Sequence, residues 1–234
     1  HPPHLSDYPP SPPHPPLPTT PRHLAPSPGG RGTGGGDGGG GGDLGRVGDG
    51  GGAFVGEASK SPEDGEIFSF VNGLSSDKLD ILEVPNFGSA MDRFNKDEAA
   101  RVRWTFDGQE IFKGGIRAMA TASDEVITKS GLTKEDIDLL IPHQANLRIV
   151  EGLEKMLGLP NATTIKKVHK YGNTSAASIP TALVDALEEG EIKGGEVAIF
   201  TAVGAGLSWG ACALRLGERT THLNTSDAKL PDFD

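Results

Sequence analysis

The sequence predicts a layered α/β/α domain with a mixed sheet, preceded by a disordered segment rich in proline and glycine. Three observations support this fold class. Helical patterns alternate with short apolar strands between residues 114 and 189, two adjacent strands close the domain, and glycines mark the turns. Alternating helices and strands are typical of an α/β domain, and the closing strand pair makes the sheet mixed.

The first 45 residues are predicted to be disordered. Proline dominates residues 1–28, and such a stretch can neither continue a helix nor pair within a sheet. Glycine dominates residues 29–42, which lose too much backbone entropy on ordering to fold alone. A proline-rich ligand for an SH3-like module and a mis-assembled gene model remain as alternatives. Residues 218–234 form a polar tail, so the folded domain spans 46–217.

Composition limits the classes of function. The chain has 234 residues with 22 basic and 32 acidic side chains, and its net charge of −10 argues against non-specific binding to nucleic acid or to a membrane surface. Cys212 is the single cysteine, so no internal disulfide and no CxxC metal site are expected, and a reducing compartment is predicted. No run is long enough to span a bilayer. No metal or redox cofactor is predicted.

The first half of the folded domain is predicted to contain two strands and a long helix. GDGGGAFVGEA is interpreted as a glycine turn and a short strand, and EIFSFVNGL as a second strand after a turn at residues 62–65. Residues 75–103 are mixed and polar. A helix is predicted over 114–130 from its apolar spacing, with Gly131 at its end, and Thr133 is expected to cap another helical turn.

The second half alternates more regularly. IDLLIPH predicts a short buried strand, and a helix is predicted over 144–157 with Gly158 closing it. TTIKKV is interpreted as a strand, and a helix is predicted over 178–189 with Pro180 in its first turn. EVAIFTAVG and LSWGACALRLG are the two closing strands, joined by a turn that contains glycine.

Three segments place polar residues or glycines at strand ends, where α/β proteins tend to have their sites. His143 follows an apolar strand and precedes a helix, whose dipole would keep the imidazole neutral and able to donate to an oxyanion. On the residues alone, a capping or turn-filling histidine is favoured about two to one over a catalytic one.

The other two segments contain glycine turns. Gly172 and Asn173 offer an unusual backbone angle and an amide donor, while residues 201–210 offer a backbone N–H between two strands. Their alternative interpretations are a turn with side-chain caps and a tight β-turn.

Taken together, these segments resemble the C-terminal half of β-ketoacyl-ACP synthase III, where ACP is the acyl carrier protein. PHQANLRI, GNTSAAS and GAGLSWGACAL occur in the family's order and spacing, and GDGGGAFVGEA resembles the strand that opens this half. The resemblance covers residues 47–217 and implies one half of the duplicated thiolase-like fold. It also implies an acyltransferase that condenses acyl-CoA with malonyl-ACP, with decarboxylation, to initiate fatty-acid synthesis.

The resemblance implies roles for individual residues. His143 and Asn173 would be catalytic, donating to the malonyl thioester oxygen, and Ala205 would supply a backbone oxyanion N–H. The pantetheine tunnel would include Gly108, Gln109, Phe112 and Ala145, although Gln109 replaces an asparagine of some members. Lys113, Arg148 and Lys155 would contact the carrier protein. For Lys155 alone, an ordinary solvated charge is the favoured interpretation.

One expected part is missing. The family's nucleophilic cysteine lies in the N-terminal half, in whose place this sequence has the proline/glycine segment. Cys212 lies inside the closing strand, is interpreted as a small buried residue, and is not expected to replace the nucleophile. The fragment is therefore predicted to be inactive in condensation, to expose apolar surface, and to be a homodimer only when complete.

Two alternatives stay open: a fragment of a polyketide-type synthase with the same His/Asn pair, and a non-catalytic partner or scaffold with a thiolase-like half-fold. The resemblance and the lone cysteine place the protein in a bacterial cytosol, or in a plastid stroma if the source is photosynthetic.

Overall fold

The structure is a computed structural model that describes residues 48, 50–54, 61, 65–77, 81–83 and 105–217. The predicted disordered segment, the polar tail and most of residues 75–103 lie outside the described residues. The residues that form the elements below come from the region that the sequence predicts to be folded.

The elements follow one another in the predicted alternation. The strands are β1 (Glu66–Leu74), β2 (Leu82–Glu83), β3 (Thr105–Phe106), β4 (Leu139–Pro142), β5 (Thr163–Thr164), β6 (Val197–Gly204) and β7 (Ser208–Arg215). The helices are α1 (Gly108–Lys129), α2 (Leu147–Leu157), α3 (Val168–Tyr171) and α4 (Ser178–Glu188), with single 3₁₀ turns at Lys134–Asp136 and Ser175–Ala177.

The main sheet has five strands in the order β1-β7-β6-β4-β5. β4 is parallel to both β5 and β6, whereas β7 is antiparallel to both β6 and β1. The sheet is therefore mixed, as predicted, because β6 and β7 form a hairpin while β4, β5 and β6 are joined through helices. β2 and β3 form a separate two-stranded pair.

Helices cover both faces of this sheet. Successive strand residues point to opposite faces, so Leu140 and Ile199 meet α1 and α2, while Leu139, Ile141 and Ala198 meet α4. Met119 and Leu153 are fully buried on the first face. The three layers confirm the predicted α/β/α architecture.

Part of the second face is uncovered in the described part of the chain. Phe70 pairs with Cys212, which pairs with Phe200, so the three side chains form one row across β1, β7 and β6. Phe70 is 71% exposed, and Leu74 on the same face of β1 is 69% exposed. This agrees with the expectation that the chain exposes apolar surface.

Several element ends differ from the predictions. α1 begins at Gly108 rather than near 114, because Asp107 caps it by accepting from the N–H groups of Gln109 and Glu110. α2 begins at Leu147 rather than at 144, because Asn146 is its N-cap. Gly158 closes α2 in the left-handed conformation, with φ 57°, as predicted.

One predicted strand is wrong in part, and another lies largely outside the described residues. Of TTIKKV, only Thr163–Thr164 is a strand, and Val168 already begins α3. Of the glycine motif at residues 48–58, residues 49 and 55–58 lie outside the described residues, and residues 50–54 belong to no strand. They pack against the start of α4 instead, where a Cβ on Gly52 would lie 2.4 Å from Pro180 Cγ, so glycine is required for this close approach. In the described residues no helix is long and apolar enough to cross a membrane, and no cluster has the ligands for a metal ion.

Candidate functional site

A cavity of about 300 Å³ lies where β4 and β6 end. Its described lining comes from the end of β4, the start of α4 and the β6–β7 hairpin: His143, Ser175, Ala176, Ser178, Ile179, Ala202, Val203, Gly204, Ser208, Trp209 and Gly210. Most of the wall therefore comes from two of the three segments that the sequence points to, the one that contains Asn173 and residues 201–210. His143 comes from the third segment. A site at the carboxyl ends of parallel strands is the usual location in α/β proteins.

His143 is held in place by the sheet and by α4. Its backbone N–H donates to Thr201 O at 2.8 Å, which continues the β4–β6 pairing by one residue. Its ring nitrogen Nδ1 lies 2.7 Å from Ser178 Oγ. With Nδ1 engaged, Nε2 is the nitrogen left to bind a ligand.

The hydroxyl of Ser178 favours one tautomer of His143. Ser178 Oγ accepts a hydrogen bond from the backbone N–H of Gln144 at 3.2 Å. Among the described residues, the only acceptor within reach of the hydroxyl proton is His143 Nδ1. If the hydroxyl donates to Nδ1, the proton of the neutral imidazole is on Nε2.

The imidazole is favoured in its neutral form. Burial lowers the pKa of His143 below the ordinary histidine value, because a charged ring would lose its hydration. The direction agrees with the sequence argument, but the cause differs, since that argument relied on a helix dipole and the N-cap of α2 lies three residues farther along the chain at Asn146. The result is a neutral donor near the cavity.

Asn173 lies in the loop between α3 and the 3₁₀ turn at Ser175–Ala177. Its side-chain oxygen accepts from Ser175 N–H at 2.9 Å, and its backbone oxygen accepts from Gly48 N–H at 2.7 Å. Among the described residues Nδ2 has no hydrogen-bond partner, so it is the group that remains to donate. Asn173 itself is not among the described residues that line the cavity, although Ser175 and Ala176 beside it are.

The backbone around Asn173 is unusual. Gly172 has φ 70° and ψ −161°, a combination that is open almost only to glycine. Ser175 has a left-handed φ of 53°, which is uncommon for a residue with a side chain. Strained backbone of this kind tends to cluster at functional sites.

Ala205 lies in the turn of the β6–β7 hairpin, next to Gly204 of the cavity wall. Its carbonyl oxygen accepts from Ser208 Oγ at 3.0 Å. No described residue accepts a hydrogen bond from its N–H. The geometry therefore leaves the predicted oxyanion donor open.

The four residues predicted for the pantetheine tunnel lie away from the described lining of the cavity. Gly108 and Gln109 are exposed in the first turn of α1. Phe112 is 37% exposed, and its ring lies 3.8 Å from the point that a Cβ on Gly152 of α2 would occupy. Ala145 is half-buried against the core just before α2. The structure thus places all four at the starts of α1 and α2.

The predicted carrier-protein contacts are exposed cations on the same two helices. Arg148 and Lys155 are seven residues apart in α2 and so share a face, and Lys113 is on α1. None of the three forms an ion pair with a described residue, whereas Lys129, Lys134 and Lys166 each do. Within the described part of the chain, these three charges are therefore available to an acidic partner.

Cys212 is less buried than its place in the closing strand predicts. It is half-buried rather than buried, between the buried Ala211 and Ala213. It lines a second cavity of about 290 Å³, which shares Ile179, Ala202 and Gly210 with the first. Burial raises the pKa of its thiol, so the thiol is a poor source of the nucleophilic thiolate.

Two buried polar residues of the site were missed by the sequence analysis. Ser178 contacts His143, and Gln144 joins β4 to the start of α3 through its side-chain amide. Apart from Pro142, two residues before Gln144, their partners are 21 to 35 residues away in sequence, so no local pattern could reveal them. The only available signal was that both are polar residues inside otherwise apolar or small-residue motifs.

Comparisons with known proteins agree with this architecture. Residues 127–216 match the family model described as 3-oxoacyl-[acyl-carrier-protein (ACP)] synthase III C terminal. β-Ketoacyl-[acyl-carrier-protein] synthase III 2 of Vibrio cholerae serotype O1 is 46% identical over 189 residues, which cover 80% of this chain and 51% of that protein. The chain spans about half the length of the curated relatives it matches.

Solved structures give the same result. 3-Oxoacyl-[acyl-carrier-protein] synthase III from Aquifex aeolicus VF5 is 35% identical, with a TM-score of 0.56 over 67% of this chain and 46% of that one. The priming β-ketosynthase from the R1128 polyketide biosynthetic pathway is 31% identical, with a TM-score of 0.60 over 65% of this chain and 45% of that one.

The strand order, the layered helices and the site at the strand ends define one half of a thiolase-like α/β fold. Within this class, the chain matches the C-terminal part of the β-ketoacyl-ACP synthase III family.

Proposed function

We propose that this chain supplies the decarboxylating side of a type III 3-oxoacyl-ACP synthase, an acyltransferase. The observation that carries the proposal is the position of His143 in the cavity wall, where Nδ1 lies 2.7 Å from Ser178 Oγ and Nε2 remains to donate. Burial lowers the pKa of this half-buried imidazole and so favours its neutral form. Asn173 offers the second donor. Its side-chain oxygen accepts a hydrogen bond from Ser175 N–H, and its Nδ2 has no hydrogen-bond partner among the described residues.

The chemistry requires two neutral donors at one oxygen. Malonyl-ACP loses carbon dioxide when its C–C bond breaks, and the electron pair moves onto the thioester to form an enolate. Nε2–H of His143 and Nδ2–H of Asn173 donate to the enolate oxygen and stabilise the charge that develops there. The enolate carbon then attacks the carbonyl carbon of the acyl thioester derived from acyl-CoA. The C–S bond of that thioester breaks, its thiolate leaves, and 3-oxoacyl-ACP results.

The acyl thioester is held on a cysteine outside these 234 residues in this proposal. Cys212 is disfavoured as the nucleophile because burial keeps its thiol protonated. The N–H of Ala205 and that of the nucleophilic cysteine would bind the oxyanion of this second step. Condensation by this chain alone is therefore not expected, whereas decarboxylation needs only His143 and Asn173.

The surroundings of the site fit a carrier-borne substrate. Gly108, Gln109, Phe112 and Ala145 lie at the starts of α1 and α2, where a pantetheine arm could lie between the surface and the site. Lys113, Arg148 and Lys155 on these helices would bind the acidic carrier protein, with acyl-CoA and malonyl-ACP as substrates. A complete synthase would be a homodimer, placed in the cytosol or the stroma.

A polyketide-type synthase is the second candidate. The R1128 priming β-ketosynthase is as similar in fold to this chain as the type III synthases are. Both candidates use the same two donors, so they differ only in the acyl chain that is accepted. A series of acyl-CoA substrates given to a complete synthase would separate them.

The proposal is tested by measuring carbon dioxide release from malonyl-ACP. We expect His143→Ala and Asn173→Ala each to lower the rate constant on the order of 10²- to 10³-fold, the usual effect of removing one oxyanion donor. The matched control is Asn161→Ala, which removes an exposed carboxamide that donates to Glu135 O and lies outside the site.

Equal rates for the wild-type chain and both site variants would reject the proposal. Such a result would favour the remaining alternative, a non-catalytic partner or scaffold with a thiolase-like half-fold.

A further inference from the structure

We infer that Gln144 is a positioning residue that holds two segments of the site in one fixed arrangement. The His143 side is the end of β4 with His143, and the Asn173 side is α3 with the loop that carries Asn173. Gln144 is 2% exposed and directly follows His143 in sequence. Its side chain does not line the described cavity. Any effect that it has on the reaction is therefore exerted through its neighbours.

The carboxamide of Gln144 makes four hydrogen bonds, all to backbone groups. Nε2 donates to Pro142 O at 2.8 Å and to Ile165 O at 3.1 Å. Oε1 accepts from Lys167 N–H at 2.8 Å and from Val168 N–H at 3.1 Å. A carboxamide has two N–H donors and an oxygen with two lone pairs, so every group is used and only one orientation fits.

These bonds fix the start of α3. This four-residue helix has no buried residue, so apolar packing does not fix it. Oε1 of Gln144 holds the two N–H groups at its start, which a helix cannot satisfy internally. Gly172 caps its end, and Asn173 follows immediately.

Gln144 also touches the other side of the site. Its backbone N–H donates to Ser178 Oγ, the same hydroxyl that lies 2.7 Å from His143 Nδ1. Pro142, to which its side chain donates, is the last residue of β4 and directly precedes His143. One residue therefore links the segments that carry both proposed donors.

The test uses Gln144→Glu, which preserves shape and changes the hydrogen bonds with pH. The protonated acid can accept from Lys167 N–H and donate to one carbonyl, as the carboxamide does. The ionised form turns a carboxylate oxygen toward the carbonyl oxygens of Pro142 and Ile165, so burial and repulsion raise the pKa of this carboxyl. The variant should then resemble the wild type in acid and depart from it as the pH rises.

The readout is the side-chain ¹H–¹⁵N signal of Asn173 in the 234-residue chain, assigned by its loss in Asn173→Ala. Between about pH 5 and about pH 8, we expect this signal to shift by more than its linewidth in Gln144→Glu and to stay in place in the wild type. Asn161→Asp is the matched control, because it also replaces an amide by an acid, at an exposed position. It should leave the signal unchanged.

Gln144→Met keeps the length of the side chain without these hydrogen bonds and should shift the Asn173 signal at every pH. It also covers the case in which Gln144→Glu does not fold. A folded Gln144→Glu or Gln144→Met chain whose Asn173 signal matches the wild type throughout would overturn the inference and leave Gln144 a merely stabilising residue.

The effect on catalysis rests on the proposed function. In decarboxylation of malonyl-ACP, Gln144→Met should lower kcat roughly ten-fold or more and change KM little, because misplaced donors weaken mainly the transition state. A shifted Asn173 signal with no decarboxylation by any chain, wild type included, would reject the proposed function and leave the positioning role standing. A normal kcat despite a shifted signal would overturn the catalytic part of the inference.

Discussion

His143 lies at the end of a strand buried on both faces, whereas Asn173 lies in a loop after a helix that buries no residue. β4 is fixed by backbone pairing to β5 and β6 and by apolar packing from both helical layers. α3 is fixed by polar contacts, with Gln144 at its start and charged groups of α4 at its end. The two proposed donors thus depend on different kinds of interaction.

The polar contacts at the end of α3 centre on Asp185 of α4, which is 3% exposed. Its carboxylate accepts hydrogen bonds from Lys170 Nζ and from Tyr171 Oη, and Lys167 Nζ lies 3.6 Å away. Burial alone would raise the pKa of Asp185, but the bonds from Lys170 and Tyr171 outweigh it and hold the pKa below the ordinary value. The stability of the Asn173 segment should therefore fall in acid, where Asp185 takes up a proton, and the stability of the strand before His143 should respond to changes in apolar volume.

The largest effect on stability is expected from Leu140→Ala on the His143 side. Leu140 is 1% exposed in the core that β4 shares with α1 and α2, so its truncation leaves a cavity. We expect the free energy of unfolding in urea to fall by about 3 to 4 kcal/mol, with little dependence on pH. Met156→Ala, at a position 55% exposed on α2, is the control and should cost less than about 1 kcal/mol. A loss that varied with pH would contradict the contrast between the two sides.

Gly172→Ala, in the loop before Asn173, should lower the free energy of unfolding by about 2 to 3 kcal/mol, because a Cβ is strained at the backbone angles of Gly172. Gly158→Ala is a matched control. A Cβ would meet no atom within 4 Å at either glycine, but Gly158 has the milder left-handed conformation, with ψ 49°. Urea unfolding of the two variants separates them, and an equal loss in both would show that the loop before Asn173 is not specially constrained.

The smallest of the three effects is expected from Asp185→Asn. At neutral pH it should lower the free energy of unfolding by about 1.5 to 2 kcal/mol, which is the usual contribution of hydrogen bonds to a charged group. Because the folded pKa of Asp185 is depressed, its stabilisation is present above the unfolded pKa of about 3.9 and is lost as the pH falls through the folded value. The difference between wild type and variant should therefore shrink in acid. Unfolding curves over a pH series measure this, and a constant difference would argue against an ionic role.

The sequence was informative wherever burial gave a repeat along the chain. β4 is a continuous apolar run, and α2 places Val150, Leu153 and Leu157 on one buried face, so both were predicted, with errors of one to three residues at their ends. α3 was missed because a four-residue helix without buried residues has no periodicity. The start of α1 was placed too late because its first turn is largely exposed.

The candidate site was predictable in part for the same reason. His143 and Asn173 are proposed as site residues because they occur in motifs that resemble a known family, not because their local sequence dictates a role. The tautomer of His143 depends on Ser178, 35 residues away in sequence, and the position of α3 depends on Gln144, 23 residues before Lys167. Such contacts exist only after the strands and helices have been brought together.

The absence of buried residues in α3 has a consequence for partial unfolding. A short segment held by hydrogen bonds and ion pairs can detach from the protein at a smaller free energy than a strand at the centre of a sheet. The chain can then lose the Asn173 donor in a local opening while β4 and His143 keep their native positions. Loss of the complete site on warming would therefore precede the cooperative melting of the domain.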